Sequence, residues 1–584
     1  MFDIIFQNDL NSKSWSNINS EHLILPTPAP IKLLKEYNEL LGQSVVRNSQ
    51  LKKYLTSPLL GRMEAQTGFF KIVCKYLLIC EELQKANFEG YNVRVKIKEP
   101  ELWIGIIGVA AQKKWPTIKT QNSKLFLKYL QWWVTSKLRL LAMIVFDFLN
   151  WFVAHLFQRR SLDSSECTVI SFFDQRSFGP SNNYTDPYFD PLLHRIREKG
   201  YSYNVIVNIV HSGKWWQALI RQIQIGKIQK NESIVSLHRA IGFFGLLRAL
   251  IKSMRNDYLE CHEMLLSGYD IWYLLHASMK QENAINSSKY FSYKYESVAK
   301  ALSKNKKLKS VLYPFENHCW EKLMISKSRS NRIPLKFIGY QHTSFSLKLL
   351  NHFPSFAEKL LPIFPDIIFT VGQIPLRALD YYGNFLPATL KVSCALRHGY
   401  LFSLKDYHRK DYSYKKQRVA LALSSDHSTY SKLIESLKNA CSGLSVEILI
   451  KSHPLIGSDS PAFRNLPDFI KVCSTPWAEL FNEIDLLLYH DNSLGIESMY
   501  YGVPSCYIAI CDDSYDCQRL FFCDNKENSV VYSEQELQKK FTDFYLTGEN
   551  KDIGICLDND YLNEYFSPIT TGSLDYMIQE IYEK

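Results

Sequence analysis

Residues 418–459 read RVALALSSDHSTYSKLIESLKNACSGLSVEILIKSHPLIGSD, and this stretch decides the fold. Two apolar runs, RVALALS and VEILIKSHP, flank a segment, STYSKLIESLKNACSG, whose apolar residues recur at helical spacing and whose end carries a glycine. Strand, helix and strand in that order make a parallel pair joined by a crossover. The second run stops at His453-Pro454, and proline has no N–H with which to continue a ladder. The histidine is thereby delivered to the carboxyl edge of a parallel sheet, where such folds bind ligands.

The same rhythm extends in both directions. Downstream come WAELFNEI (477–484, helix), DLLLYH (485–490, strand), SLGIESMYYG (493–502, helix) and PSCYIAI (504–510, strand). Upstream, CTVISFF (167–173), YNVIVNIV (203–210), KSVLYPFE (309–316), LKFIGYQH (335–342) and PDIIFTVG (365–372) read as strands. Helical segments such as DPLLHRIREKG (190–200) and NHCWEKLMISKS (317–328) lie between them. The pattern predicts an α/β protein with two Rossmann-like doubly wound domains, at 161–402 and 403–584, divided by the polar connection SLKDYHRKDYSYKKQ (403–417). Residues 1–122 form an N-terminal extension without a motif; PTPAP (26–30) marks an irregular connection within it.

A chain of 584 residues exceeds one ordinary domain, and 46% hydrophobic against 22% charged residues excludes extensive disorder. The net charge of +11 suits a phosphate, a nucleotide, an acidic glycan or an anionic lipid. Thirteen cysteines scattered singly fit a reduced, cytosolic protein. CDDSYDC (511–517) lacks the second ligand pair that a zinc site needs, so neither a metal nor a cofactor is expected. The start, MFDIIFQNDLNSKSW, has no cationic flank before an apolar run, and no signal peptide is expected.

Residues 123–160, SKLFLKYLQWWVTSKLRLLAMIVFDFLNWFVAHLFQRR, predict one long amphipathic helix. Its polar residues Lys124, Lys128, Gln131, Thr135, Arg139, Asp147, Asn150 and Gln158 step by helical intervals and form a single stripe. A membrane-spanning helix would bring Asp147 and Asn150 near mid-bilayer, at high cost. A helix lying in the interface of an anionic membrane would not, and Trp132, Trp133 and Trp151 suit the headgroup boundary. A core helix between domains is the remaining alternative.

Two loops of the second domain point into the expected cleft. One carries Lys451 and His453-Pro454. In the other, Asp491, Asn492 and Ser493 can cap a helix whose amides and dipole favour a phosphate. Glu497, one turn on, can then reach a ribose hydroxyl pair. In the first domain Glu316, beside His318, follows one strand; Gln341 and His342 follow the next; Asp174 follows a third. A carboxylate there can deprotonate an acceptor hydroxyl or act as nucleophile. Glu316 is preferred to Asp174, with His342 as the competing base.

KSHPLIG, followed some forty residues later by DLLLYHDNSLGIESMYYGVPS, resembles the carboxy-terminal donor domain of GT-B glycosyltransferases. The likeness is in particular to bacterial enzymes of capsule and lipopolysaccharide assembly that use CMP-activated ulosonic acids (sialyl- and Kdo-transferases), and to other surface-carbohydrate biosynthesis proteins. It implies that His453, with Pro454 fixing the turn, contacts the nucleotide phosphate, and that Ser493 and Glu497 belong to the later serine-containing motif. Loops of the form S-x-G-x-E-x-x-x-x-G-x-P also occur in UDP-sugar transferases, nucleotide-sugar epimerases and teichoic-acid polymerases. This chain has a single serine, Ser493, where some ulosonic-acid transferases have two hydroxyl residues, and it lacks the D/E-D/E-G acid motif, so no catalytic base is carried over. The resemblance implies a metal-independent transferase at the cytoplasmic face of the cell membrane. Its partners would be a nucleotide-sugar donor, a glycan or lipid-linked acceptor and an anionic membrane surface, with no nucleic acid. A nucleotide-sugar epimerase, a polyol-phosphate transferase and a non-catalytic assembly or export partner remain open.

Overall fold

A computed structural model of the chain describes residues 3–7, 16–19, 29–47, 69–88, 92–96, 100–115, 119–120, 125–159, 164–179, 183–210, 215–229, 232–255, 263–285, 287–342, 349–404, 417–424, 429–453, 460–490, 492–510, 530–547 and 559–583, with single positions between 54 and 62 and at 162. Pro454, Asp491 and the CDDSYDC stretch therefore lie outside the described residues.

The N-terminal extension supplies four short strands, β1 (Asp3–Gln7), β2 (Ser16–Asn19), β3 (Asn92–Lys96) and β4 (Lys119–Thr120), paired in the order β2-β1-β3-β4. Its helices Ala29–Arg47, Phe69–Phe88 and Pro100–Gln112 bury Tyr37, Phe70 and Tyr76 in the same core as Leu274, Tyr313 and Phe337 of the next domain. A buried ion pair joins the two. Arg62 donates to both carboxylate oxygens of Glu358, at 2.8 and 2.6 Å, and to the Asn38 carbonyl at 3.1 Å. Removing one partner of such a pair strands the other charge in the core, a loss of about 3–5 kcal/mol. The extension is built into the first domain's core.

The first large sheet comprises β5 (Cys167–Phe173), β6 (Tyr203–Ile209), β7 (Ile234–Ser236), β10 (Ser310–Pro314), β11 (Lys336–Tyr340), β12 (Ile367–Thr370) and β13 (Leu390–Val392); a two-stranded hairpin, β8 (Leu265–Leu266) and β9 (Tyr269–Asp270), interrupts the series. The seven strands are parallel and ordered β13-β12-β11-β10-β5-β6-β7. The chain starts in the middle, winds outward to β7 and returns to the other side of β5, so the direction of winding switches between β5 and β10. The second sheet, β14 (Gln417–Ala422), β15 (Val446–Lys451), β16 (Ile470–Val472), β17 (Leu486–Tyr489), β18 (Ser505–Ile508) and β19 (Val530–Val531), is also parallel. Its order, β16-β15-β14-β17-β18-β19, puts the switch between β14 and β17. Every residue of β10 and β17 is buried, as expected of strands covered on both faces. Two Rossmann-like domains are therefore present. The short strands β7, β13, β16 and β19, of two or three residues each, carry too little pattern to be read from sequence.

Two features depart from the sequence reading. Helices Asn559–Tyr565 and Thr571–Tyr582, placed by sequence in the second domain, pack back onto the first. Glu580 binds Lys336 of β11 at 3.3 Å and Lys391 of β13, Asp575 binds Arg195 at 2.8 Å, and the Tyr582 hydroxyl donates to the Ser202 carbonyl at 3.1 Å. The long helix, Leu125–Phe157, is the second departure. Gln131, Thr135 and Arg139 are exposed, but Asp147, Asn150 and Gln158 face the protein rather than water. Asp147 pairs with His238 and Lys294, each at 2.9 Å. Gln158 donates to Gln222 Oε1 at 2.7 Å and accepts from the Ser236 amide at 3.0 Å. Burial opposes the charge on Asp147, and Lys294 and His238 more than offset it, holding the carboxyl well below the usual range.

Candidate active site

The loop after β10, Phe315–His318, is held in an unusual shape. Asn317 adopts left-handed backbone (φ 53°), a conformation Asn tolerates better than most residues. Glu321, in the first turn of the next helix, accepts from the amides of Glu316, Asn317 and His318 at 3.0–3.2 Å. Asn317 donates to the Asn351 carbonyl, and Asn351 in turn to the Glu316 carbonyl, both at 2.5 Å. With its backbone fixed on every side, the loop presents Glu316 and His318 at the strand's carboxyl end.

His318 Nδ1 lies 3.2 Å from one oxygen of Glu316, and His342 Nε2, at the end of β11, lies 3.7 Å from the other. The side chain of Glu316 is 34% accessible, and His342 is buried. Burial raises the Glu316 carboxyl to about 7, against the pull of the Arg397 charge. Burial also drives His318 down to about 3 and His342 well below its ordinary value, Arg397 adding to the latter. Near neutral pH the pair of imidazoles is uncharged, and Glu316 is poised to exchange a proton. His342 Nδ1 has no hydrogen-bond partner among the described residues.

Asp174, the third predicted acid, stands at the end of β5 but works locally. It caps the turn Gln175–Ser177, accepting from the Arg176 amide at 2.8 Å, and pairs with the Arg176 guanidinium at 2.5 Å. Burial raises its pKa, but these Arg176 contacts prevail and lower it. Such an acid is a poor base.

On the facing domain His453 follows β15, half-buried, its amide donating to the Tyr430 hydroxyl at 3.2 Å. Burial, then the Arg397 charge, lowers its pKa, so it offers a neutral N–H rather than a cation. Lys451 is turned elsewhere. Its ammonium donates to the carbonyls of Ser474 and Thr475 and lies 5.3 Å above the Trp477 ring.

The serine motif also differs from expectation. The helix after β17 is a single α-turn, Leu494–Glu497, followed by a 3₁₀ turn, Ser498–Tyr501, and is too short for a developed dipole. Asn492, not Ser493, caps it, accepting from the Leu494 amide at 3.1 Å and tying β14 to β17 through the Ala422 carbonyl at 3.0 Å. Ser493 donates to Glu497 at 2.6 Å. Glu497 is buried, accepts from the Tyr400 hydroxyl as well, and lies 3.7 Å from His398 Nε2. Burial would raise its carboxyl, but His398, Ser493 and Tyr400 together hold it at about 2. Its oxygens are engaged by the protein, Oε1 by Ser493 and Oε2 by Tyr400. The glycines of the motif have structural causes too: a Cβ on Gly495 would stand 2.4 Å from the Tyr489 ring, and Gly502 closes the turn at φ 67°.

The residues that sequence reading missed come from one segment, Leu396–Leu404, between the domains. His398 and Tyr400 grip Glu497 of the second domain, and His398 stacks on Phe566 at 4.1 Å. Arg397 is exposed and has no carboxylate partner among the described residues. Its guanidinium lies 5.9 Å from the Tyr188 ring, which meets His342 edge-on at 4.6 Å. Its charge acts on Glu316 and His342 of one wall and on His453 of the other. The visible signal was the cluster RHGY (397–400) at the end of an otherwise apolar run. Among the described residues no group of His, Cys, Asp and Glu is arranged to hold a metal ion.

No family model and no curated protein matches the sequence. Among solved structures the chain is similar to UDP-GlcNAc 2-epimerase from Neisseria meningitidis bound to UDP-GlcNAc, at 11% identity, over 71% of this chain and 99% of that one, with a TM-score of 0.39. It is similar to MurG of Acinetobacter baumannii at 11% identity, over 72% and 99% of the two chains, with a TM-score of 0.37. It is similar to the glycosyltransferase SnogD from Streptomyces nogalater at 11% identity, over 72% and 100%, with a TM-score of 0.34. At such distance the function has to be argued from the chain's own residues.

Proposed function

We propose that the chain is a glycosyltransferase of GT-B architecture that moves a sugar from a nucleotide-activated donor onto an acceptor hydroxyl. The observation that carries this reading is a carboxyl raised to about 7, Glu316, at a strand end of the first sheet, lying in the field of an exposed guanidinium, Arg397, whose charge also reaches His453 at a strand end of the second. Glu316 takes the proton of the acceptor hydroxyl while the acceptor oxygen attacks the anomeric carbon. The bond from that carbon to the donor phosphate oxygen breaks, and the charge left on the phosphate is met by Arg397 and the His453 N–H. Neutral His318 and His342 hold the carboxylate without neutralising it. On this reading phosphate charge is balanced by protein groups, and activity persists in EDTA.

The finer assignment, a CMP-activated ulosonic acid such as Kdo or sialic acid delivered to a capsular or lipopolysaccharide acceptor at the cytoplasmic face, rests on the resemblance carried by His453-Pro454 and Ser493. A thermal-shift series with CMP, UDP, CDP and GDP on the full chain tests both levels. A nucleotide at a hundredfold its Kd stabilises the fold by about 2.7 kcal/mol, a shift such a series registers. Stabilisation by CMP above the others supports the ulosonic-acid donor; UDP or GDP in its place keeps the transferase and removes that donor. No stabilisation by any of them at millimolar concentration overturns the transferase reading.

A further inference from the structure

The long helix leaves one side bare. Its buried line runs through Ser136, Leu140, Asp147, Asn150, Ala154 and Gln158. On the other side Leu138, Leu141, Val145, Phe152 and Leu156 are each more than half exposed, at 52–62%. With Leu149, also exposed, these positions recur at three- and four-residue steps along the C-terminal part of the helix, which makes a continuous apolar stripe about 27 Å long. The stripe does not stop at the helix. Phe148 and Trp151 touch Phe243, at 5.3 Å between ring centroids in both cases, and Phe243 leads to Phe244, which is 80% exposed. Gly242, at φ 67°, breaks its own helix just before these two rings and turns them outward. On the neighbouring helix Trp216–Ile228, Trp216 and Ile220 are exposed as well.

The charge around this surface has one sign. The three helices Leu125–Phe157, Trp216–Ile228 and Leu237–Ser253 contain eight lysines and arginines and a single acid, Asp147, which is buried. Trp133, Trp215 and Trp216 are exposed at its margin. An exposed apolar stripe edged by tryptophan and arginine, without an accessible carboxylate on its helices, has the chemistry of a lipid-headgroup boundary. We propose that this face seats the protein on an anionic membrane surface, the apolar side chains entering the acyl boundary while Lys137, Arg139, Arg239 and Arg248 meet the headgroups. By length and composition Trp133–Phe157 is also apolar enough to cross a bilayer. Spanning would carry His238, Lys294, Gln222 and Ser236, the groups bonded to its polar stripe, into hydrocarbon, which the folded domain prevents. The proposal is independent of the transferase chemistry, because none of these residues belongs to the cleft.

Co-sedimentation of the full chain with phosphatidylglycerol vesicles, neutral phosphatidylcholine vesicles and no vesicles tests it. Binding to the anionic vesicles is expected, weakened at least tenfold by 0.5 M salt because the basic groups act through a screened field. L141E/V145E/F152E, at positions exposed in the fold, is expected to lower the partition coefficient about a hundredfold with an unchanged melting temperature. F244E, on a different helix, is expected to lower it about tenfold and serves as the second probe should the triple variant fail to fold. Wild-type protein that ignores anionic vesicles overturns the proposal. So does a detergent-free dimer that the same substitutions dissociate, since a second copy then covers the face. Binding by F244E equal to wild type, or extraction of bound protein only by detergent and never by salt or carbonate, also overturns it.

Discussion

Glu316 and Glu497 are both glutamates near one cleft, and their surroundings push them in opposite directions. Glu316 has two neutral imidazoles for neighbours and no bonded cation among the described residues, so burial raises it to about 7. Glu497 is buried more deeply, yet three donors, His398, Ser493 and Tyr400, take it down to about 2. The first is left able to change charge near neutral pH; the second is a fixed anion that ties the inter-domain segment to the second sheet. Burial alone does not make a catalytic carboxylate. What separates the two is whether the protein has already filled the oxygens.

The largest effect should come from Glu316→Gln, which keeps the shape and removes the proton acceptor. A drop in kcat of about 10²–10⁴-fold is expected, with donor binding preserved. Wild-type activity should rise with pH through about 7 as the carboxyl ionises, and the variant should lose that limb. Stability moves the other way. The native carboxyl holds its proton more tightly than the unfolded chain, whose value is near 4.5, so its contribution is full at acid pH and fades as pH climbs from 4.5 to about 7. Chemical denaturation across that window should show the fade in wild type and not in the variant.

Arg397→Ala should weaken donor binding about ten- to a thousandfold, read as a loss of nucleotide-induced thermal shift, and Arg397→Lys should restore part of it. His453→Ala, which removes a neutral donor and not a charge, should sit at the lower end of that range. Equal effects of the two would break the distinction between the exposed cation and the half-buried imidazole.

Glu497→Gln should act on stability first. Its carboxylate stabilises the fold above pH 4.5, and that contribution is lost as pH falls from 4.5 to about 2, so the amide should cost about 2 kcal/mol at pH 7 by urea denaturation. A pH–rate profile of unchanged shape would sharpen the contrast with Glu316. The smallest effect belongs to Asp174→Asn. With Arg176 as its partner on the surface, it should change kcat less than about threefold and stability by less than about 1 kcal/mol.

The sheets were legible because a strand buried on both faces must be apolar throughout, and SVLYP and LLLY admit no other reading. Glu316, His318 and His342 were legible as strand-end residues, and adjacent strands bring them together. His398 and Tyr400 were not, since their partner Glu497 lies on the far domain, and Arg397 was not, since Tyr188, Glu316, His342 and His453 around it are distant in sequence and no local spacing encodes that. Asp174 and Ser493 misled in a common way. A short polar side chain at a strand end satisfies a nearby amide or carboxylate as readily as a ligand. The long helix shows the limit of periodicity most plainly: it gives the angle between polar and apolar residues, but not which side the protein takes. Here the protein took the polar side for Asp147, Asn150 and Gln158, because His238, Lys294, Gln222 and Ser236 were there to answer them.

The return of Thr571–Tyr582 to the first sheet has a bearing on synthesis. Strands β11 and β13 are complete once residue 392 has been made, yet their lysines find Glu580 only some two hundred residues later. During translation the first domain therefore carries an uncovered flank while the whole second domain is produced, and contacts this distant in sequence form late. Helix Thr571–Tyr582 acts as a seal applied only after the second sheet has been made, and it leaves a nascent first domain dependent on protection until then.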